Sequence, residues 1–238
     1  MKAIPVLAAL LVAVTTACVP GGASPSPRPS ADVSPATTRP AASPDEEDQK
    51  AAQAAVLRLK DLGSSYEGRP YLRSRLATQD DEVLSRCLGR PLTSVHETAR
   101  AFSSIFVSGD GRLVLAGVTF VDSRETAAAD LQALQGPRAM PCLRRLLTTQ
   151  LRRQRSGPLA VEVERIRPVP DLAQVVAYRF TVVVNEDGQD ITQFIDLISA
   201  TRGRAEVQAS FQDVNVAVER AVEERAMLAM LNRLPARS

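Results

Sequence analysis

The amino-acid sequence predicts an α+β domain in which an antiparallel β-sheet is packed against helices. Between residues 99 and 121, two apolar stretches flank the turn-forming tetrad Ser108-Gly109-Asp110-Gly111, a pattern typical of a β-hairpin. Between residues 159 and 211, further strand-like stretches are separated by turn residues, which indicates a meander of four strands. The segments around these strands show helical periodicity.

The first part of the domain is predicted to be helical. A helix is expected over residues 45–62, because the acidic residues Asp45-Glu46-Glu47-Asp48 complement the helix dipole at its start. Residues 63–70 are predicted as a loop. A second, shorter helix is expected over residues 80–87, and Gly89 shortly after it is a helix stop signal.

The hairpin strands are predicted over residues 99–107 and 112–121. The second strand is apolar on both faces, which is typical of a central strand. Helices are then expected over residues 123–135 and 141–154. The second of these helices carries a leucine stripe at the spacing of one buried helical face: Leu143, Leu146, Leu147 and Leu151.

The meander and a last helix complete the predicted domain. The four strands are expected over residues 159–167, 174–184, 190–200 and 205–211. The last strand alternates apolar and polar residues, which predicts either one face in water or an edge position in the sheet. A C-terminal helix is expected over residues 215–234.

The N-terminus has the composition of an export signal. Lys2 precedes an apolar run from Ile4 to Val14, and the small residues Thr15-Thr16-Ala17 then lead to Cys18. The run is too short to span a bilayer. A cysteine in this position resembles the lipobox of bacterial lipoproteins, which implies a signal peptide over residues 1–17 and a diacylglyceryl group on the Cys18 thiol. The alternative is ordinary cleavage after Ala17, which releases a protein with a free N-terminal thiol.

The segment that follows is predicted to be a linker. Residues 18–44 are rich in Pro, Ser, Ala and Thr and contain little that could be buried, so we expect a disordered spacer. Residues 45–238 then form a single ectodomain. If Cys18 is lipidated, the chain is held by its N-terminal lipid on the extracytoplasmic face of the cell membrane.

The other two cysteines are predicted to be structural. With Cys18 lipidated, Cys87 and Cys142 remain as a pair in an oxidising compartment, which favours a disulfide. The alternative is two buried, unpaired thiols. The spacings typical of metal and redox sites are absent from the sequence.

Composition and motifs argue against catalysis and against nucleic-acid binding. The net charge is +2, so no basic excess indicates nucleic acid. His96 is the single histidine, and the sequence contains none of the local motifs of serine hydrolases, zinc proteases or nucleotide-binding proteins. We therefore predict no catalytic residue, no metal ligand and no cofactor.

One basic patch is a candidate binding surface. It lies on the polar side of the helix that follows Cys142 and consists of Arg144, Arg145, Arg152, Arg153 and Arg155. Such a cluster can contact anionic lipid headgroups, phosphate-bearing wall polymers or an acidic partner. The alternative is a solvated helix face in an arginine-rich sequence.

Four short segments resemble actinobacterial cell-envelope lipoproteins, which are similar to the extracellular sensor domains of receptor-like serine/threonine kinases. The segments are Leu57-Arg58-Leu59-Lys60-Asp61-Leu62, Cys87-Leu88-Gly89, Ala101-Phe102-Ser103-Ser104 and Pro141-Cys142-Leu143. The resemblance implies a PsbP-like α+β fold over about residues 50–234. Those sensors generally carry two disulfides and tryptophan, whereas this chain has two cysteines besides Cys18 and no tryptophan. Only Cys87 and Cys142 are therefore carried over.

These observations predict a non-catalytic, membrane-anchored envelope lipoprotein that binds a ligand or a partner protein as a sensor or accessory module. The alternative is a carrier of a lipid or another apolar molecule. Residues 113–121 and 175–184 are apolar on both strand faces, which permits a cavity between sheet and helices but also describes a filled core.

Overall fold

The computed structural model describes residues 44–71, 76–90, 96–154, 159–169, 174–186 and 188–235. The predicted signal peptide, Cys18 and Arg155 lie outside these residues, as does the predicted linker up to residue 43. The helices are α1 (Pro44–Ala55), α2 (Leu59–Leu62), α3 (Leu76–Leu88), α4 (Arg124–Gln135), α5 (Ala139–Gln154) and α6 (Arg220–Arg233). The strands are β1 (Tyr66–Arg69), β2 (Glu97–Phe102), β3 (Ile105–Ser108), β4 (Leu113–Val121), β5 (Leu159–Ile166), β6 (Val175–Glu186), β7 (Gln189–Arg202) and β8 (Ala205–Val214).

The eight described strands form one antiparallel sheet. Its order is β1-β3-β4-β8-β7-β6-β5, and β2 pairs with β4 beside β3. Strand β8 joins the hairpin region to the meander, because it pairs with β4 on one side and with β7 on the other. The predicted α+β class, with a hairpin and a four-strand meander in an antiparallel sheet, is confirmed.

Helices cover both faces of the sheet. Successive side chains of a strand point to opposite faces, and the buried apolar side chains form two clusters, one on each face of the sheet. On one face, Val207 and Phe211 of β8 are buried with residues of α1, α2 and α6. On the other face, Phe180 and Val182 of β6 are buried with Leu143 of α5 and with residues of α3 and α4.

The predicted wet face or edge position of the last meander strand is wrong. Strand β8 is central, and its polar residues Glu206, Ser210 and Gln212 are only 8%, 2% and 4% exposed. Neighbouring polar groups satisfy part of this row, since Gln193 Nε2 donates to Gln212 Oε1 at 3.4 Å and Gln212 Nε2 donates to Ser210 Oγ at 3.3 Å.

The predicted helix over residues 45–62 is two helices. Leu57 lies between the two helices, outside helical structure, and its side chain is buried in the core. A new turn begins at Arg58, whose backbone N–H donates to Asp61 Oδ2 at 2.8 Å. The break frees the Val56 carbonyl, which accepts a hydrogen bond from Arg233 Nη1 at 3.0 Å.

The first hairpin strand is likewise two strands, β2 and β3, and both pair with β4. At the break, Ser103 N–H donates to the Ala116 carbonyl at 2.9 Å, and Ala116 N–H donates to Ser103 Oγ at 3.0 Å. Ser103 Oγ therefore accepts the hydrogen bond that a backbone carbonyl would accept in an uninterrupted strand. Residues 102 to 105 thereby stay attached to β4 although the strand is interrupted.

Three further boundaries differ from the prediction. Strand β1 lies within the predicted loop 63–70 and pairs with β3. Helix α3 begins at Leu76 instead of residue 80. Helix α6 begins at Arg220 instead of residue 215, because Asn215 has a φ of 67° and turns the chain away from the end of β8.

A disulfide joins the two helices that flank the second cluster. Cys87, near the end of α3, is bonded to Cys142, near the start of α5, and their Cα atoms are 5.7 Å apart. The pairing agrees with the one expected from the sequence. Among the described helices, none is both long enough and apolar enough to cross a membrane.

Removing this disulfide should destabilise the domain. The two cysteines are 55 residues apart, and the chain-entropy model for a loop of that length gives about 4 kcal/mol. We expect the Cys87→Ser/Cys142→Ser variant to lose about 2–5 kcal/mol of unfolding free energy, measured by urea titration. Reduction of the unmodified protein should give the same loss. An unchanged urea midpoint in both experiments would contradict the prediction.

Candidate functional site

Helix α5 divides cleanly into a buried side and a polar side. The predicted leucine stripe faces the sheet, where Leu143, Leu147 and Leu151 are at most 2% exposed and pack against β6 residues such as Phe180. This apolar side belongs to the core, so the orientation of the helix about its axis is determined.

The opposite side of α5 carries exposed arginines. The same periodicity that buries the leucines leaves Arg144, Arg145, Arg152 and Arg153 exposed, and we call these four residues the arginine face. The two arginine pairs are eight residues apart, which is about 12 Å along the helix axis. Of the five arginines predicted to form a patch, the structure thus brings four together on one surface.

Threonines occupy the helix surface between the two arginine pairs. Thr148 Oγ1 donates to the Arg144 carbonyl at 2.8 Å, and Thr149 Oγ1 donates to the Arg145 carbonyl at 2.8 Å. Both hydroxyl protons are therefore used within the helix. The groups that α5 presents to a ligand are its guanidinium donors.

The charge of α5 is unbalanced. Helix α5 carries no acidic residue, whereas each of the other described helices contains both acidic and basic residues. Within the described part of the chain, Arg144, Arg145 and Arg152 have no carboxylate partner. The last pair, Arg152 and Arg153, lies in the final turn, where it complements the helix dipole.

Two more exposed arginines border the start of α5. Arg86 precedes Cys87, whose disulfide to Cys142 places it beside the first turn of α5. Arg138 lies immediately before α5 and is also exposed. The positive surface therefore extends from the arginine face toward the end of α3.

A second candidate surface is an open, polar cleft beside α4. Its volume is about 380 Å³, and it is lined by Arg124, Glu125, Ala128, Gln174, Thr201, Arg202 and Gly203. Arg202 is already engaged, because its Nη1 donates to the Leu231 carbonyl at 2.7 Å. The cleft is open to solvent and its lining carries both charge signs, so it lacks the enclosed apolar walls of a lipid pocket.

His96 has a carboxylate partner. Its Nδ1 lies 2.7 Å from Asp122 Oδ2, and both side chains are largely exposed, at 40% and 48%. The hydrogen bond from Thr126, followed by the contact with His96, lowers the pKa of Asp122 from its usual range. Nearby Ser123 instead caps α4, accepting a hydrogen bond from Thr126 N–H at 3.1 Å. Among the described residues, the His96 ring has no second hydrogen-bond partner.

A buried acidic group under α6 was not predicted as a site. Asp196 of β7 is 1% exposed and accepts two hydrogen bonds from Arg179 of β6, at 2.7 and 2.6 Å. Glu223 of α6 is 0% exposed, and no N–H or O–H group of another described residue donates a hydrogen bond to its carboxyl oxygens. The adjacent Glu224 is exposed. The described residues contain no cluster of three or more potential metal ligands.

The surroundings of Glu223 favour its neutral form. Burial, and then the neighbouring Asp196 carboxylate, raise the pKa of Glu223 to about 9, although Arg220 and Arg179 act in the opposite direction. At neutral pH the folded protein therefore holds Glu223 protonated. The only sequence signal for this environment is that Glu223 and Glu224, being adjacent on one helix, must point in different directions.

Comparison with known proteins finds similarity to solved structures. No protein-family model matches the chain, and no curated protein sequence matches it either. Among solved structures, the chain is similar to the extracellular domain of PknH from Mycobacterium tuberculosis, with 11% sequence identity and a TM-score of 0.47. The similarity covers 78% of this chain and 95% of that one. At this identity and score it assigns neither a ligand nor a residue role to the present chain.

The protonated Glu223 should make the stability of the domain depend on pH. In the unfolded chain the pKa of Glu223 returns to 4.5, whereas in the folded protein it is about 9. The folded state therefore binds the proton more tightly, and the free energy of unfolding should fall as pH rises from 4.5 to 9, by about 1.4 kcal/mol per pH unit at most. Glu223→Gln should remove this part of the slope, and at pH 8 it should melt several degrees higher relative to the parent protein than it does at pH 5.

The measurement is thermal unfolding at pH 5, 6, 7 and 8. Glu224→Gln is the matched control, since it removes a carboxyl from the same helix at an exposed position. It should keep the pH slope of the parent protein. If Glu223→Gln and Glu224→Gln have parallel pH profiles, Glu223 is not protonated in the folded state.

Proposed function

We propose that the chain is a non-catalytic binding module of a bacterial cell envelope, anchored to the extracytoplasmic face of the membrane by a lipid on Cys18. The arginine face carries the binding part of this proposal. It concentrates guanidinium groups on one rigid helix, without the carboxylates that balance charge on the other described helices. Such a surface attracts and orients anionic groups.

The order of segments along the chain supports the anchoring. The export signal ends at Cys18, and the proline-rich linker leads from there to α1, where the folded domain begins at Pro44. With proline in extended polyproline II conformation, 26 residues reach roughly 80 Å. The linker is thus long enough to hold the domain away from the membrane surface.

The packing of the sheet favours a binding module over a carrier of apolar molecules. The sequence permits a cavity because β4 and β6 are apolar on both faces. In the structure, helices lie on both faces of the sheet. Strand β6 contributes apolar side chains to both buried clusters, and β4 contributes to one of them while its remaining apolar side chains are buried as well. Packing within the fold therefore explains why both strands are apolar on two faces.

Lipidation can be tested by the mass of the N-terminal peptide. We expect the mature protein to begin at Cys18 and to carry the mass of a diacylglyceryl group, and to enter the detergent phase in Triton X-114 partitioning. The Cys18→Ala variant should lose the lipid mass, and the Cys87→Ser/Cys142→Ser variant should keep it. An N-terminal peptide that contains unmodified Cys18 would show that the protein is secreted without an anchor.

Native mass spectrometry separates the binding module from the carrier. The full chain is purified from host membranes in mild detergent and sprayed under non-denaturing conditions. We expect the mass of the acylated chain without a retained apolar molecule. A stoichiometric noncovalent adduct of several hundred daltons that extracts into organic solvent would instead identify a carrier and overturn the proposed binding role.

A further inference from the structure

We propose that the arginine face binds a water-soluble linear polyanion, whose phosphate or carboxylate groups recur along an extended chain. This inference rests on the proposed function and names the class of ligand that the module takes. The alternative target is the anionic surface of a bilayer. Three observations favour the polymer: the spacing of the arginines, the absence of a carboxylate partner of Arg144, Arg145 and Arg152 among the described residues, and the small exposed apolar surface of α5.

The first observation is the linear arrangement of the guanidinium groups. Arg144 and Arg145 form one pair and Arg152 and Arg153 a second, about 12 Å further along the same helix. Each guanidinium can donate two parallel hydrogen bonds to one phosphate or carboxylate. A polymer with repeated anionic groups can contact both pairs at once, and the second contact is then intramolecular. A single small anion can reach only one pair.

The second observation is that this charge is unbalanced within the fold. Arg144, Arg145 and Arg152 have no carboxylate partner among the described residues, and α5 itself has no acidic residue. Arg86 and Arg138 add positive charge at the start of the helix. These positive charges repel one another and thereby destabilise α5. A bound polyanion compensates the repulsion and so stabilises the folded domain.

The third observation argues against a bilayer as the target. A helix that binds in the membrane interface inserts its apolar side, but the apolar side of α5 is buried against the sheet. The large hydrophobic residues that are exposed among the described residues are Leu59, Met140 and Val216. Of these, Met140 belongs to α5 and lies one turn before Arg144, so α5 offers one exposed large hydrophobic side chain that could enter the lipid.

The position of the linker agrees with this assignment. The linker joins the domain at α1, which belongs to the layer on one face of the sheet, whereas α5 belongs to the layer on the other face. The whole sheet lies between the attachment point and the arginine face. A domain held at α1 therefore presents its arginines away from the attachment point of the linker.

The test measures binding of the full chain, in mild detergent, to fluorescently labelled inorganic polyphosphate and poly-L-glutamate. We expect the full chain to bind at least one polymer, with affinity about 50–150-fold weaker in 200 mM than in 50 mM NaCl, as expected for about four ionic contacts. Inorganic monophosphate at the same phosphate concentration should compete at least tenfold less well. The preferred polymer shows whether the recurring group is phosphate or carboxylate.

Two charge-matched variants locate the binding surface. The first, Arg144→Gln/Arg145→Gln/Arg152→Gln/Arg153→Gln, should lose at least tenfold in polymer affinity. The second removes four exposed cations from other elements, namely Lys50→Gln/Lys60→Gln/Arg69→Gln/Arg124→Gln. It should stay within about twofold of the parent protein in polymer affinity. Thermal unfolding confirms that both variants are folded.

Three outcomes would overturn the inference. One is an equal loss of affinity in both variants, which would indicate net charge and not the arginine face. Another is equally strong arginine-dependent binding to phosphatidylglycerol vesicles, scored as the excess over phosphatidylcholine vesicles so that insertion of the lipid anchor cancels. The third is the absence of polymer binding. The mass of the Cys18 peptide is independent of all three, so the anchoring and the ligand class are judged separately.

Discussion

The structure depends on the central position of β8. This strand pairs over eight residues with β4 and over ten with β7, and without it the hairpin region and the meander are separate sheets. Both faces of β8 are buried, so other groups cover the sheet on each side of this strand. Helices α1, α2 and α6 belong to the cluster on one face of the sheet, and α3, α4 and α5 belong to the cluster on the other. The sheet therefore lies between α1 and the arginine face of α5.

The sequence predicted those elements whose pattern is local. The leucines of α5 have helical spacing, the Ser108–Gly111 tetrad is a turn signal, and both features are found where they were expected. The environment of β8 was not predictable in this way. The alternation of apolar and polar residues in β8 correctly indicates that its two faces differ. The polar face is nevertheless buried, because α4 and polar side chains of neighbouring strands cover it. Those contacts are tertiary, and periodicity carries no information about them.

Of the two charged sites, one follows from a local sequence pattern and the other depends on tertiary contacts. The arginine face was predicted because one helix places its arginines and leucines on opposite sides. The Glu223 environment was not, because it depends on Asp196 and Arg179, which are distant in sequence and reach it only through the register of β6 and β7 beneath α6. An acidic residue on a helix is normally solvated. Here the sheet places a second carboxylate below it, and the burial of both favours retention of a proton.

Several arginines of this fold pair with buried carboxylates, and three residues of the arginine face differ from them in this respect. Arg204, in the turn before β8, pairs with Asp48 of α1, Arg179 joins β6 to Asp196 of β7, and Arg233 joins α6 to Asp61 of α2. Each of these arginines connects two elements and compensates a buried carboxylate. Arg144, Arg145 and Arg152 connect no described elements, and their mutual repulsion opposes folding. Residues that cost stability without serving the fold are expected where a protein meets its ligand. An abundance of arginine in the sequence accounts for how many there are, but not for their placement on one helix without a single acidic neighbour on it.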